Sequence, residues 1–193
     1  MSDSKIDSYA DAMERGKTLK KAELPGIPDE WLLDVVMHWI WNKDYDDNQY
    51  EAIARSLPKP CRNVFCCQLV TSDVENGGLH QLFGNSMAKL AEMSVEGFLE
   101  LGSPRVSQVM TKALELYQQY DIATVVEIKN QNSRPDLYGK IIPYGSGYDD
   151  PVVRRYYEQH RNIFDELDTT FYDEYESVDY VKYIRQNAEY FGE

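Results

Sequence analysis

A pair of adjacent glycines, Gly77-Gly78, interrupts a strongly apolar stretch near the middle of this 193-residue chain. Residues 64–75 favour a buried helix, and an apolar helical turn restarts at Leu79 directly after the pair. Glycine just past a helix end adopts the left-handed conformation without steric cost, and a second glycine lets the chain turn sharply. The segment Asn76–Ser86 therefore predicts a corner between two helices.

Start and stop signals elsewhere predict further helices. Acidic residues at 29 and 30 favour the first turn of a helix over about 28–42. Asn85-Ser86 is typical of an N-cap for a helix over about 87–101, which Gly102 closes. Ser103-Pro104 then begins a helix over about 105–119. A final helix opens at Ser177 or Asp179. The prediction is an all-α fold.

The predicted organisation is a single compact multi-helix domain over residues 28–193, preceded by a polar N-terminal arm or helix over residues 1–27. Pro25-Gly26 and Pro28 separate the two. A long loop is predicted over about 121–150, because Arg134-Pro135 and the run 143–148 have loop chemistry, although the β-branched stretch from Ile122 could also extend a helix.

Acidic charge is unevenly distributed. The chain has 33 Asp and Glu against 20 Lys and Arg, a net charge of -13, and residues 149–193 hold 12 of the acids but 5 of the bases. This balance argues against direct nucleic-acid binding, which needs clustered Lys and Arg, and against an anionic membrane surface. Without an apolar run of ~18 residues or an N-terminal signal region, we expect a cytoplasmic protein.

Metal and cofactor sites are not predicted. Cys61, Cys66 and Cys67 fall in one helix without a second ligand pair, and His38, His80 and His160 are scattered. We interpret the thiols as small buried hydrophobes in a reducing compartment. The glycines match no nucleotide-binding fingerprint. Three Trp residues, at 31, 39 and 41, could suggest a ligand box, but their helical spacing favours core or interface.

The acidic tail has a pattern of its own. As a near-continuous helix over 151–178, it would place Phe164, Leu167, Phe171 and Val178 on one face. Five acids would lie roughly opposite: Glu158, Asp165, Glu166, Asp173 and Glu176. Acids three and four residues apart are ~5–6 Å from each other, comparable with the charge spacing along a duplex. A solvated face is the simpler alternative.

The glycine corner also permits an enzymatic interpretation, in which His80 acts as a general base among Asn76, Gln81 and Asn85. However, no Ser or Cys nucleophile lies nearby in a recognisable motif. The structural alternative is that the two Asn and the Gln satisfy backbone groups exposed by the helix break. The sequence favours this second interpretation.

The segment Asn76-Gly77-Gly78-Leu79-His80-Gln81-Leu82-Phe83-Gly84-Asn85-Ser86 resembles the core motif of the DNA-mimic protein family, Asn-Gly-Gly-Phe-x-Gln-Phe-Phe-x-Asn-Ser. The tail is similar again at 164–172 and 183–187, so the resemblance covers about 60–118 and 155–191. Leu79 and Leu82 stand where Phe is usual, and Asp73 where Glu is expected. The signature residues are Asn76, Gly77, Gly78, Gln81 and Asn85.

This resemblance implies an all-α protein that often self-associates, for example as a homodimer, and relatives that present carboxylates in place of DNA phosphates. The leading hypothesis is a non-enzymatic acidic binding protein that engages a basic DNA-binding protein, such as a transcription factor. One alternative is an immunity protein or antitoxin that covers a basic nuclease toxin, with Tyr side chains as anchors. An enzyme centred on His80 is the other alternative.

Overall fold

The computed structural model describes residues 6–42, 50–84, 87–132 and 163–193, with residues 119–132 described in the backbone alone. Every regular element in these ranges is a helix, which confirms the predicted all-α class. The chain divides into unit 1, Met1–Phe65 with Asp179–Glu193, and unit 2, Cys66–Val178. The predicted boundary between residues 27 and 28 stays a prediction. None of the described helices has the length and apolar character that a membrane span requires.

The α-helices follow one another along the chain with short 3-10 helices between some of them. In chain order they are α1 (Tyr9–Gly16), α2 (Asp29–Trp41), α3 (Tyr50–Ser56), α4 (Lys59–Gly84), α5 (Ala88–Glu100), α6 (Pro104–Asn132), α7 (Asp165–Glu174) and α8 (Tyr180–Gln186). The 3-10 helices are Lys21–Gly26, Tyr175–Ser177 and Ala188–Tyr190.

Unit 1 is built around helix α2, which packs against α1 and α8. One face of α2 is buried, as its helical stripe predicts: Leu32, Val35, Val36, Trp39 and Ile40. Helix α1 approaches α2 so closely at Gly16 that a Cβ there would lie 2.5 Å from the Cβ of His38. A glycine is therefore required for this helix contact.

The C-terminal segment of unit 1 is fastened to its N-terminal part. Asp179 caps α8, since its side chain accepts a hydrogen bond from the Lys182 amide at 2.9 Å. From α8, Arg185 donates to the backbone oxygens of Leu24 and Ile27 as well as to a carboxylate. The cap therefore settles the choice between residues 177 and 179 in favour of Asp179.

Unit 2 has an aromatic core. The ring of Phe83 on α4 stacks on Tyr117 of α6, with centroids 4.5 Å apart, and on Phe164 at 5.4 Å. Phe98 of α5 meets Phe171 of α7 edge-on at 6.1 Å. Rings from four elements thus converge, and each of the four Phe side chains is almost fully buried.

Two predicted boundaries in unit 2 are confirmed and two are wrong. Gly102, with φ of 85°, closes α5, and α6 begins at Pro104. However, the residue before α5 is Met87, without a side-chain cap, and Asn85-Ser86 lies outside the described residues. Helix α6 continues to Asn132, so the predicted loop does not begin at 121. Residues 120–132 contain no Gly or Pro, and β-branched residues lower helix propensity only slightly.

The predicted continuous tail helix is also wrong within the described residues. Helix α7 begins only at Asp165, after bends at residues 163 and 164, and passes into a 3-10 turn after Glu174. The side chain of Phe164 is fully buried against Phe83, and three acids in the next turn favour a helix N-terminus there. The predicted helix start at Asp149-Asp150-Pro151 lies outside the described residues.

Candidate functional site: the acidic helix and the glycine corner

Helix α7 separates acidic from apolar side chains. Phe171 is fully buried, whereas Asp165, Glu166 and Asp173 are exposed, as is Glu176 in the following 3-10 turn. The three exposed acids of α7 lie within an arc of ~100° around the helix axis. The structure therefore brings four of the five predicted partner-binding acids to the surface of one short segment. Glu158, the fifth, lies outside the described residues.

The charge around this helix is strongly negative. Residues 66–84, 87–118 and 163–178 of unit 2 contain twelve Asp and Glu but three Lys and Arg. One of those bases, Arg105, donates to the Glu174 carboxylate at 2.5 Å, and this contact raises the pKa of the arginine. A surface with such an excess of one sign produces an extended negative potential that attracts basic ligands.

The glycine pair breaks α4 as the sequence predicts. Gly77 is extended, with φ of -172°, so any residue could adopt its φ angle. Gly78 has φ of 75° and ψ of -177°, a region that is essentially restricted to glycine. The position that requires glycine by conformation is therefore Gly78, where α4 kinks before it resumes as a helix.

A carboxylate from α7 caps this corner. Oδ1 of Asp168 accepts a hydrogen bond from the Leu79 amide at 2.8 Å. A Cβ at Gly78 would lie 2.8 Å from Oδ2 of the same carboxylate, so the contact also needs the glycine. Burial raises the pKa of Asp168, and the Leu79 amide and His80 oppose that rise. We call this contact the Asp168 latch.

Sequence analysis missed the latch, because Asp168 looks like one more acid in the run from Asp165. One signal could have found it: Asp168 precedes the buried Phe171 by three residues, so the two side chains lie ~60° apart on α7. It is half-buried, unlike its acidic neighbours at 165 and 166. The acids of α7 therefore divide into Asp168 and Glu174, which contact other parts of unit 2, and Asp165, Glu166 and Asp173, which are exposed.

The other signature residues serve the same corner. Gln81 Nε2 donates to Asp73 Oδ1 at 3.0 Å, and Asn76 is exposed at the end of the first half of α4. From α7, the Tyr172 hydroxyl donates to the Val74 carbonyl at 2.7 Å. Asn85 lies outside the described residues. The corner thus ties α7 to α4 on both sides of the glycine pair.

His80 is half-buried, and its ring lies edge-on to Phe164 with centroids 5.0 Å apart. Its acidic neighbour is Asp168, a partner that sequence analysis did not identify. The Asp168 carboxylate accepts a hydrogen bond from the Leu79 amide, which gives it a structural role. The three cysteines are buried thiols, and burial raises the pKa of Cys67. Among the described residues, no three His, Cys, Asp or Glu side chains form a group suited to a metal ion.

Comparison with protein families identifies the class to which the chain belongs. The model of the DMP19-like protein family matches residues 55–187, which is more than half of the chain. The protein is therefore a member of the DMP19-like family, a family of DNA-mimic proteins. The match includes the glycine corner, α7 and α8. Comparisons with curated proteins and with solved structures give no significant match.

Proposed function

We propose that this protein is a non-enzymatic binding protein that occupies the basic surface of a DNA-binding protein, such as a transcription factor, by offering carboxylates in place of phosphates. The observation that carries the proposal is the charge of unit 2, where described acids outnumber bases fourteen to four. Family membership supports it independently. The binding residues would be Asp165, Glu166, Asp173 and Glu176, with Glu158 as a further candidate.

The spacing of the exposed acids suits a partner protein whose basic side chains are arranged to contact DNA phosphates. Asp165 and Asp173 are separated by two helical turns, or ~12 Å along α7, with Glu166 beside them. Asp173 and Glu176 stand three residues apart, and like charges at that spacing repel one another by a few tenths of a kcal/mol. A basic partner would remove that repulsion, and the negative potential of unit 2 would accelerate its association.

The glycine corner supports a binding role over an enzymatic one. Asp168 and Gln81 are engaged in hydrogen bonds that hold α7 and the two halves of α4 together. His80 packs against an aromatic ring of the core. We therefore expect that a correctly folded His80→Ala variant keeps its binding activity. A turnover reaction that disappears with His80 would reverse this assignment.

The proposal can be tested by comparing two variants with the same loss of charge. The first carries Asp165→Asn, Glu166→Gln, Asp173→Asn and Glu176→Gln in unit 2. The control carries Gln at four exposed acids of unit 1: Glu14, Glu30, Glu189 and Glu193. Proteins retained from lysate at low salt by the wild type, but not by the first variant, are purified as candidate partners. Circular dichroism verifies that both variants keep their helicity.

Titration of a purified partner then gives the decisive measurement. We expect the unit 2 variant to bind about 10-fold or more weakly, mainly through slower association, and the control to bind within about 2-fold of the wild type. Raising the salt from 0.05 to 0.3 M should weaken the wild-type complex steeply, because screening shortens the range of surface charges to below ~10 Å. DNA carrying the partner's site should compete.

Three results would contradict DNA mimicry by α7: simultaneous binding of DNA and this protein, equal losses in the two variants, or indifference to salt. Capture of a basic nuclease that the protein inhibits would instead favour the immunity or antitoxin role. Self-association as a homodimer and a cytoplasmic location stay predictions, which sedimentation and cell fractionation can test.

A further inference from the structure

A second surface feature lies in unit 1, outside the acidic helix. Three aromatic side chains from α1 and α2 form a chain of contacts there. The rings of Tyr9 and His38 have centroids 5.3 Å apart, and those of His38 and Trp41 are 5.8 Å apart, both edge-on. Nε2 of His38 also lies 3.0 Å from the Tyr9 hydroxyl. We call this set the aromatic cluster.

The two outer rings of the aromatic cluster are open to solvent. Tyr9 is 52% exposed and Trp41 is 42% exposed, whereas Trp39 on the same helix is 5% exposed. Helical spacing predicts a core or interface position for the Trp residues; Trp39 lies in the core, and for Trp41 the interface half stays a prediction. Exposed aromatic faces carry the negative side of the ring quadrupole, which attracts cations.

A carboxylate lies on the same side of α2. Asp34 precedes His38 by one turn and Trp41 by two, so the three side chains share one stripe of the helix. Asp34 is half-buried, and burial raises its pKa, a rise that the neighbouring His38 opposes. Burial lowers the pKa of His38 below 6.5, so the imidazole is neutral at pH 7 and does not neutralise the carboxylate.

We propose that the aromatic cluster and Asp34 bind a guanidinium group, namely the side chain of an arginine on a partner protein. A partly desolvated carboxylate without a cation beside it favours a positively charged ligand. A guanidinium is planar and weakly hydrated, stacks on aromatic faces and donates to carboxylates, whereas the compact ammonium of lysine is strongly hydrated. This proposal does not depend on DNA mimicry by α7.

The alternative is that the aromatic cluster only fastens α1 to α2. The hydrogen bond between Tyr9 and His38 and the close approach at Gly16 already serve that purpose. Neither contact involves Trp41 or Asp34, so substitution of these two residues separates ligand binding from helix packing. Asp34→Asn keeps the shape of the side chain and removes its charge.

The experiment titrates the full-length protein with two blocked tripeptides, Gly-Arg-Gly and Gly-Lys-Gly, and with tetramethylammonium, while the backbone amide signals of α2 are followed by NMR. We expect the arginine peptide to shift these signals saturably and to bind about 5-fold or more tightly than the lysine peptide. Asp34→Asn and Trp41→Ala should each weaken binding about 5-fold or more. The control Glu189→Gln removes an exposed acid of unit 1 that lies outside α1 and α2, and it should have no effect.

Each contrary result overturns a defined part of the proposal. Equal affinity for the two peptides would show unspecific charge attraction. Tighter binding of tetramethylammonium would indicate a site for methylated ammonium groups. Absence of saturable binding, or binding that survives both Asp34→Asn and Trp41→Ala, would leave the cluster as a helix contact alone.

Discussion

The two units of this protein differ in how strongly acidic their described residues are. The described residues of unit 1 contain eleven Asp and Glu and nine Lys and Arg, and several of these form ion pairs, such as Arg55 with Glu51 at 3.0 Å. The described residues of unit 2 contain fourteen acids and four bases. Over the full sequence, unit 1 contains 15 acids and 11 bases and unit 2 contains 18 acids and 9 bases, so both units are acidic and unit 2 has the larger excess.

This contrast shows which part of the acidic tail, residues 149–193, contributes its charge to each unit. Residues 149–193 have a large acidic excess as a stretch of sequence, yet residues 179–193 belong to unit 1 and hold three acids and two bases. The acids of α7 instead share unit 2 with those of α4, α5 and α6. Charge in a folded protein is organised by units of structure, which need not follow the order of the sequence.

The two units also use side chains of opposite charge to hold distant segments together. In unit 1 a cation, Arg185, donates to backbone oxygens. In unit 2 a carboxylate, Asp168, accepts from a backbone amide beside Gly78, whose backbone conformation favours glycine strongly. We make four predictions about the two units, in order of decreasing effect on the free energy of unfolding.

Substitution at the glycine corner should have the largest effect. Gly78→Ala combines a conformation that only glycine adopts readily with a Cβ 2.8 Å from the Asp168 carboxylate. We expect the free energy of unfolding to fall by ~3 kcal/mol in urea denaturation. The matched control is Gly26→Ala in unit 1, where a Cβ would meet no atom within 4 Å, and we expect a change within ~0.5 kcal/mol. Equal losses would remove the special role of the corner.

Substitution of Arg185 in unit 1 should have the second-largest effect on stability. Arg185→Lys keeps the charge but loses the planar fork that reaches two carbonyls and Asp29 together, so stability should fall by ~2 kcal/mol. Asp29→Asn should cost below ~0.5 kcal/mol, because that carboxylate is 71% exposed. Thermal and urea unfolding of both variants check this order. A larger loss for Asp29→Asn would mean that the ion pair, rather than the carbonyl contacts, stabilises the segment.

The Asp168 latch should show itself in the pH dependence of stability. Burial raises the pKa of Asp168 in the folded state above the ordinary value of 3.8. The folded protein then holds this proton more tightly than the unfolded chain, so the associated stability is present below pH 3.8 and is lost as the pH rises through the folded pKa. Asp168→Asn should abolish this decrease.

Asn can still accept from the Leu79 amide, so Asp168→Asn should stay within ~1 kcal/mol of the wild type at pH 7. Asp168→Ala leaves that amide without its acceptor and should cost ~1–2 kcal/mol. Unfolding free energies measured from pH 3 to 7 test both statements. The latch would be refuted by an Ala variant as stable as the Asn variant, or by an unchanged pH profile.

Removing surface acids from unit 2 should have the smallest effect, and a favourable one. Asp173 and Glu176 lie at the C-terminal end of α7 and in the turn after it, where the helix dipole disfavours acids. Asp173→Asn with Glu176→Gln should raise stability by ~0.5 kcal/mol at low salt, and the gain should vanish near 1 M salt. Glu14→Gln with Glu189→Gln in unit 1 should give no gain. A gain in stability from both pairs of substitutions would show that the net charge, rather than the position of the charges, determines the effect.

Many boundaries of the fold can be predicted from residues that are close together in the sequence. The break at Gly77-Gly78, the end of α5 at Gly102 and the start of α6 at Pro104 each depend on groups within one helical turn. The all-α class follows from the repeated apolar stripes and caps. These features were predictable because the interacting atoms are close neighbours in the chain.

Tertiary structure alone decided which of several equivalent residues acquires a particular task. Asp165 and Asp168 stand three residues apart in one acidic run, yet only the second meets an amide, that of Leu79, 89 positions away. Trp39 is buried and Trp41 is exposed, although both lie on α2. The side-chain types are identical within each pair. The difference comes from which distant segment packs over each position, and this depends on how the helices assemble around the core.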